Sequence, residues 1–303
     1  VTFLTTSTSV AAGLLEPFAL DFLQRALVGG SLVAVLCGVV GSWVVVRGMA
    51  FLGEALAHGM LPGVALATVL GLPVMAGGAI SAIVMSLGIG ALQRRGRLSY
   101  DTSIGLLFVS MLALGVIIIS HSGSFATDAT SILFGDILAI APADIVLLAV
   151  AAAIGVAVSA VAHRSLVALA LDSRIASVLG LRPRLAQAAL VGLVTLAVVA
   201  SYQAVGSLLV VGLLLAPAVA AGHWTTRIPS RMLLAAALGI VAVLGGLLVS
   251  WHAGTAAGAS VAAAAITLAG ASWLCRALLD ALRSPRHAVP VGASPPAAEA
   301  PSR

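Results

Sequence analysis

Lysine is absent from the 303 residues; all fifteen basic side chains are arginine. A phosphate-binding P-loop ends in Gly-Lys-Ser/Thr, so this sequence contains none, and any ATP hydrolysis linked to its work falls to another polypeptide. Cysteine is scarce. Cys37 and Cys275 sit singly in separate apolar runs, with no Cys-x-x-Cys, and offer no disulfide or thiolate zinc framework. Aromatic residues make up 4% and are unclustered, which argues against base stacking and against nucleic acid as a partner. Charged residues are only 8%, too few for the surface of a soluble domain this long.

What is present is apolar. The chain is 61% hydrophobic with a mean hydropathy of +1.19. Repeated apolar runs of about eighteen residues or more denote an all-α polytopic membrane protein. About nine transmembrane helices are expected, over 26–46, 50–70, 74–92, 104–120, 143–162, 185–200, 205–222, 232–251 and 254–275. The run at 185–200 is short, so eight crossings plus a partial insertion is the alternative. Residues 1–25 read as an extracytoplasmic N-terminal segment, 26–283 as the membrane domain, and 284–303, rich in Pro and Ala, as a disordered cytoplasmic tail.

The arginines give the topology. Arg47; Arg94, Arg95 and Arg97; Arg164, Arg174, Arg182 and Arg184; Arg227 and Arg231; and Arg276, Arg283, Arg286 and Arg303 occupy alternate connections, and only Arg25 departs. The positive-inside rule then places these connections and the C-terminus in the cytoplasm. The opposite connection at 121–142 holds His121, Asp128 and Asp136 without a basic residue, and reads as an acidic mouth that concentrates cations. The other reading makes its aspartates turn and cap residues, the preferred one for Asp144 after Pro142. The apolar piece 132–140 is too short to span and suggests a re-entrant or surface helix.

Glu54 and His58 stand out in the second run. Four residues apart, they project from one helix face, and a carboxylate there costs ~2.5–3.5 kcal/mol unless compensated. Pro62 lacks the N–H that would bond the His58 carbonyl. Ala55, Gly59, Gly63 and Ala67, each four apart, form a small-residue stripe suited to close helix packing. The pair is either a metal site on an ion pathway or a simple interhelical hydrogen-bond pair. Imidazole with carboxylate suits Mn²⁺, Zn²⁺ or Fe²⁺ and not Cu⁺; the excess of histidines over intramembrane acids gives zinc a slight edge. His252, outside the eighth run, and Asp128 are further candidate ligands, and His223 closes the seventh run as a solvated side chain or a ligand. Pro217 in mid-run marks an expected kink beside a pathway. Between arginines, the stretch from Leu169 to Gly180 has the apolar spacing of a short amphipathic helix, a docking knob for a soluble partner.

Five ordered stretches carry a resemblance. Arg47-Gly-Met-Ala-Phe-Leu-Gly-Glu-Ala-Leu-Ala-His-Gly-Met-Leu-Pro-Gly63, Asp101-Thr-Ser-Ile-Gly105, Leu133-Phe-Gly-Asp-Ile-Leu138, residues 172–180 and Val205-Gly-Ser-Leu-Leu-Val-Val-Gly-Leu-Leu-Leu-Ala-Pro217 together resemble the manganese/zinc-type ABC importer permeases over about residues 18–275. The resemblance implies a cobalamin-permease-like helical bundle in the cell membrane. It further implies a second copy of the chain, two cytoplasmic ABC ATPase subunits and an extracytoplasmic metal-binding protein. No cofactor is permanently bound; the metal is cargo. Glu54 and His58 would belong to the translocation site, and Asp172, Ala176 and Gly180 to a coupling helix seated in the ATPase. Glu54 stands where the family usually has aspartate, and Trp251-His-Ala-Gly254 replaces a commoner acidic, Pro-containing turn. Rival functions are a proton-coupled secondary metal carrier, a permease for a metal chelate such as a siderophore, and a purely structural membrane scaffold.

Overall fold

The computed structural model describes residues 16–94, 99–120, 135–171 and 182–283. Every regular element among them is helical: a 3₁₀ turn Glu16–Ala19, α1 Asp21–Val46, α2 Ala50–Gly59, α3 Leu61–Leu70, α4 Val74–Arg94, α5 Tyr100–Ser120, a 3₁₀ turn Ile137–Ala139, α6 Pro142–Val161, α7 His163–Leu171, α8 Pro183–Gly222, α9 Ile228–Ala253 and α10 Ala257–Arg283. Nine stretches among the described residues are long and apolar enough to cross a membrane, α2 with α3 supplying one and α8 two. The sixth is a 20-residue stretch, Pro183–Tyr202, long enough for a full crossing. Helices α6 and α8 open with proline in the first turn, where its missing N–H is harmless and its φ is already helical.

Helix α1 is the axis of the bundle and packs against α6, α8 and α9. Its glycines allow backbones to touch: a Cβ on Gly41 would meet the Leu214 carbonyl, and one on Gly38 would lie 2.6 Å from the Ala236 nitrogen. In lipid such close packing replaces the hydrophobic driving force that water would supply. Polar anchors fix the register. Fully buried Trp43 donates its indole N–H to Ser159 Oγ at 2.6 Å, and its ring meets His163 edge-on with centroids 5.5 Å apart. Arg47 donates to the Leu169 carbonyl at 2.5 Å and to Gln187 Oε1 at 3.2 Å, tying α1, α7 and α8 at one level.

In the 163–184 connection α7 occupies the first nine residues, with Leu166, Ala168 and Leu169 buried. The expected docking helix from Asp172 to Gly180, with Ala176, lies outside the described residues, as do Asp128 and His121.

Helix α8 has 40 residues, about 60 Å at 1.5 Å per residue, twice the hydrocarbon thickness. It is broken at Gly206, whose φ of 75° and ψ of 166° suit only glycine. This break lies eleven residues before Pro217, which itself stays within helical backbone. Just beyond Pro217 neighbouring helices reach the backbone of α8: Arg231 Nε donates to the Ala218 carbonyl at 3.1 Å and Ser272 Oγ to the Ala220 carbonyl at 3.0 Å. Gly135, with φ 59°, lies against the backbone of Val205 and Gly206. Beyond it the described part of the 132–140 stretch forms only a 3₁₀ turn, with Ile137 and Ile140 inserted against Gly30 and Gly29 of α1. Asp136 and Asp144 are caps, accepting the N–H of Leu138 at 3.2 Å and of Ala141 at 2.9 Å.

Gly41→Val is expected to force α1 from α8 and lower stability by about 1–3 kcal/mol or more, read as a lower Tm in detergent. Gly270→Ala, with open space around its Cα, leaves the Tm within a degree or so of the parent, since free surface changes cost about 0.5 kcal/mol or less.

Candidate metal site

The second span is two helices joined at Met60. Helix α2 ends at Gly59 and α3 starts at Leu61, with Pro62 in its first turn. Pro62 frees the His58 carbonyl, but that carbonyl does not stay free: it accepts the Met60 N–H at the break. The Gly59 carbonyl is taken by Ser81 Oγ of α4 at 2.7 Å. Two helices clamp the break. A Cβ on Gly59 would meet Met85 Sδ, one on Gly63 would meet the Gly77 carbonyl, and the converse holds for Gly77. Helix α5 approaches from the other side, where a Cβ on Gly115 would sit 2.9 Å from Leu61 Cβ. The expected small-residue stripe thus receives α4, and it holds the acidic face of α2 fixed.

On that face Glu54 Oε1 lies 3.3 Å from His58 Nδ1, with the Glu54 carbonyl at 3.2 Å from the same nitrogen. Nδ1 and the carboxylate thus face each other, so that with the ring proton on Nε2 the two together present one nitrogen and one oxygen donor to a cation. Phe108 of α5 packs edge-on against His58 and Phe51, with centroids 5.7 and 5.4 Å away, and fixes the imidazole plane. Glu54 and His58 are the fifth and ninth residues of the span that starts at Ala50, so His58 lies about 12 Å along it, well inside a hydrocarbon layer of about 30 Å. Their side chains are 37% and 22% exposed, and Phe51 beside them is 43% exposed. At membrane depth, then, the described residues cover the pair only in part.

Of the remaining candidates, Asp128 lies outside the described residues and neither histidine joins the pair. Exposed His252 bonds its own helix, Nδ1 lying 2.9 Å from the Leu248 carbonyl. His223 is half-buried at the end of α8, its Nδ1 lacking a hydrogen-bond partner among the described residues. No three His, Cys, Asp or Glu side chains among the described residues cluster into a metal site. Among the described residues, Glu54 and His58 thus stand as a pair with no third such side chain beside them.

Residues 19–276 match the ABC 3 transport family. The chain belongs to that family. It is accordingly a permease-type subunit of an ABC transporter, and its nine apolar stretches are the crossings of a multi-span membrane protein. The manganese transport system membrane protein MntC of Halalkalibacterium halodurans is 33% identical over 248 residues, 82% of this chain and 85% of that one. A probable iron transport system membrane protein of Haemophilus influenzae is 32% identical, over 82% and 91% of the two chains. Among solved structures, PsaBC from Streptococcus pneumoniae in complex with Fab matches with a TM-score of 0.76 and 30% identity, covering 87% of this chain and 95% of that chain. The ABC 3 fold thus agrees with the all-α bundle expected from hydropathy.

Sequence spacing found the pair but not its supports. Ser81 had a weak signal, a hydroxyl in an apolar run; Phe108 had none, since one aromatic in a span is unremarkable. Ser81→Ala is expected to orphan the Gly59 carbonyl in the bilayer and to cost about 1–3 kcal/mol, seen as a lower melting temperature. Ser110→Ala, whose hydroxyl bonds only the Leu106 carbonyl of its own helix at 2.8 Å, changes stability by less than about 0.5 kcal/mol.

Proposed function

We propose that the chain is the permease of an importer for a divalent transition metal, Mn²⁺ foremost, driven by separate ATPase subunits. The observation that carries the reading is the Glu54–His58 pair, pre-oriented yet only partly covered by the described residues at membrane depth. Lipid cannot satisfy a carboxylate. A second copy of the same chain can: meeting across a two-fold axis, two such faces bring together two carboxylates and two imidazoles, a full set for one divalent ion. Imidazole nitrogen with carboxylate oxygen suits Mn²⁺, Fe²⁺ and Zn²⁺. Manganese and iron are the metals in the names of the relatives compared here, and that support outweighs the slight histidine-based edge for zinc.

The positive-inside distribution supports an orientation with Arg47, the 163–184 connection, Arg227 and the C-terminal tail in the cytoplasm. Both ends of α8 carry arginines, Arg182 and Arg184 before and Arg227 and Arg231 after, so Gly206 is where the chain doubles back on the outer side. The Asp128-containing connection and His252 then lie on the side from which an extracytoplasmic metal-binding protein delivers the ion. Residues 172–180, with Asp172, Ala176 and Gly180, are the proposed contact for the ATPase. With no lysine in these 303 residues, hydrolysis must come from those partners. ATP-driven closure would move the two α2–α3 units relative to each other and expose the shared pair to either side in turn. The hinge for that motion is the Met60 break, with Pro62 beside it.

In cells carrying the assembled transporter, Glu54→Gln and His58→Ala are each expected to lower Mn²⁺ accumulation at least ~10-fold, since each removes a ligand worth ~10–100-fold in affinity. ATPase subunits should still co-purify with both variants. A chelate permease predicts unchanged uptake of the chelate in Glu54→Ala, and a proton-coupled carrier predicts Mn²⁺ uptake without any ATPase subunit. Either result would displace this reading.

A further inference from the structure

A second site lies away from Glu54 and His58. A cavity of about 1170 Å³ opens between α4, α8 and the start of α5, and neither member of the metal pair lines it. Its polar end gathers Arg47, Gln93, Tyr100 and Gln187. The Tyr100 hydroxyl interacts with the Gln93 and Gln187 carboxamides, and the buried Arg47 Nε has no hydrogen-bond partner among the described residues. One guanidinium, two carboxamides and a phenol carry more N–H and O–H groups than they can accept among themselves. Arg184 lies at the rim, with Asp101 as the one opposing charge among the described residues. Buried donors in excess beside net positive charge call for an anionic, acceptor-rich group.

The rest of the cavity is apolar and runs in the membrane direction. From Gln93 to Ala79 along α4 is fourteen residues, and from Gln187 to Val199 along α8 is twelve, about 18–21 Å of helix rise. That is the depth of one leaflet, measured from the level where α4 ends and α5 begins. Ile83 and Leu87 on the wall are themselves exposed, so the cavity is open sideways to lipid. The one polar feature on the way, the Ser86–Thr195 hydroxyl contact at 2.8 Å, is internally satisfied: one hydroxyl donates to the other, which donates to a carbonyl of its own helix.

We infer that this cavity holds an anionic phospholipid of the arginine-rich leaflet, its phosphate bonded by Arg47, Gln93, Tyr100 and Gln187 and an acyl chain lying between α4 and α8. Because Arg47 also ties α1 to α7 and α8, the lipid braces the segment that leads into residues 172–180. The inference uses the membrane placement of the chain but not the identity of its cargo.

The test is native mass spectrometry and thermal melting of the full chain in mild detergent, with phosphatidylglycerol, phosphatidylcholine of the same acyl chains, or inorganic phosphate added. Detergent has no sidedness, so the result does not depend on the orientation proposed above. One phosphatidylglycerol per chain should survive purification, binding at least ~10-fold more tightly than phosphatidylcholine (one such factor being about 1.4 kcal/mol), with no comparable shift from inorganic phosphate. A Gln93→Leu/Tyr100→Phe variant should lose most of that preference, and Ile83→Trp should lower the affinity for both lipids by filling the acyl path. Equal binding of the two lipids would overturn the inference, as would a phosphate shift as large as the lipid's, or variants that bind as the parent does. If a variant misfolds, the lipid preference of the parent protein alone decides.

Discussion

An ionisable pair within an apolar span, only partly covered by the described residues, is the constraint on which the rest of the structure depends. A helix surface at that depth ordinarily carries Leu, Val or Phe, and the neighbours of Glu54 and His58 on the outer face, Phe51 and Phe108, conform. A carboxylate and an imidazole survive there when something else covers them. The fold spends its strongest local restraints on holding the two in register: a helix break at Met60, a carbonyl captured by Ser81, and glycines on α2 to α5 that admit neighbouring backbones. Each restraint keeps the pair rigid while leaving it partly exposed, which is what a site completed by a second copy requires.

The same economy governs the bundle. Without a hydrophobic force between helices, contact area must come from closeness, and closeness from residues without side chains. Gly38 and Gly41 bring α9 and α8 onto α1; Gly63 and Gly77 join α3 to α4; Gly135 lies on the backbone at Gly206. Backbone irregularity is allowed only where protein surrounds it, and both breaks obey this. Met60 is enclosed by α4 and α5, and Gly206 is met by the 135–140 segment.

Much of this was legible in the sequence. Hydropathy located all nine spans, because a run of twenty apolar residues has few other uses. The i, i+4 spacing placed Glu54 and His58 together, and the small-residue stripe foretold where α4 would pack. The break at Gly206 was not legible because proline is a visible signal and glycine a silent one: Gly206 acquires its role only when Gly135 lies against it. The polar end of the second cavity was invisible for a similar reason. Arg47, Gln93, Tyr100 and Gln187 come from four separate stretches, each at the end of an apolar run, where single polar residues are expected anyway.

The central claim is that two copies share one metal between their Glu54–His58 faces. Its most direct measurement is the stoichiometry of Mn²⁺ bound to the assembled transporter, beside the Glu54→Ala/His58→Ala double variant. One ion for every two permease chains, lost in the double variant, is the result the account predicts. One ion per chain, or a bound ion that survives removal of both side chains, would contradict it.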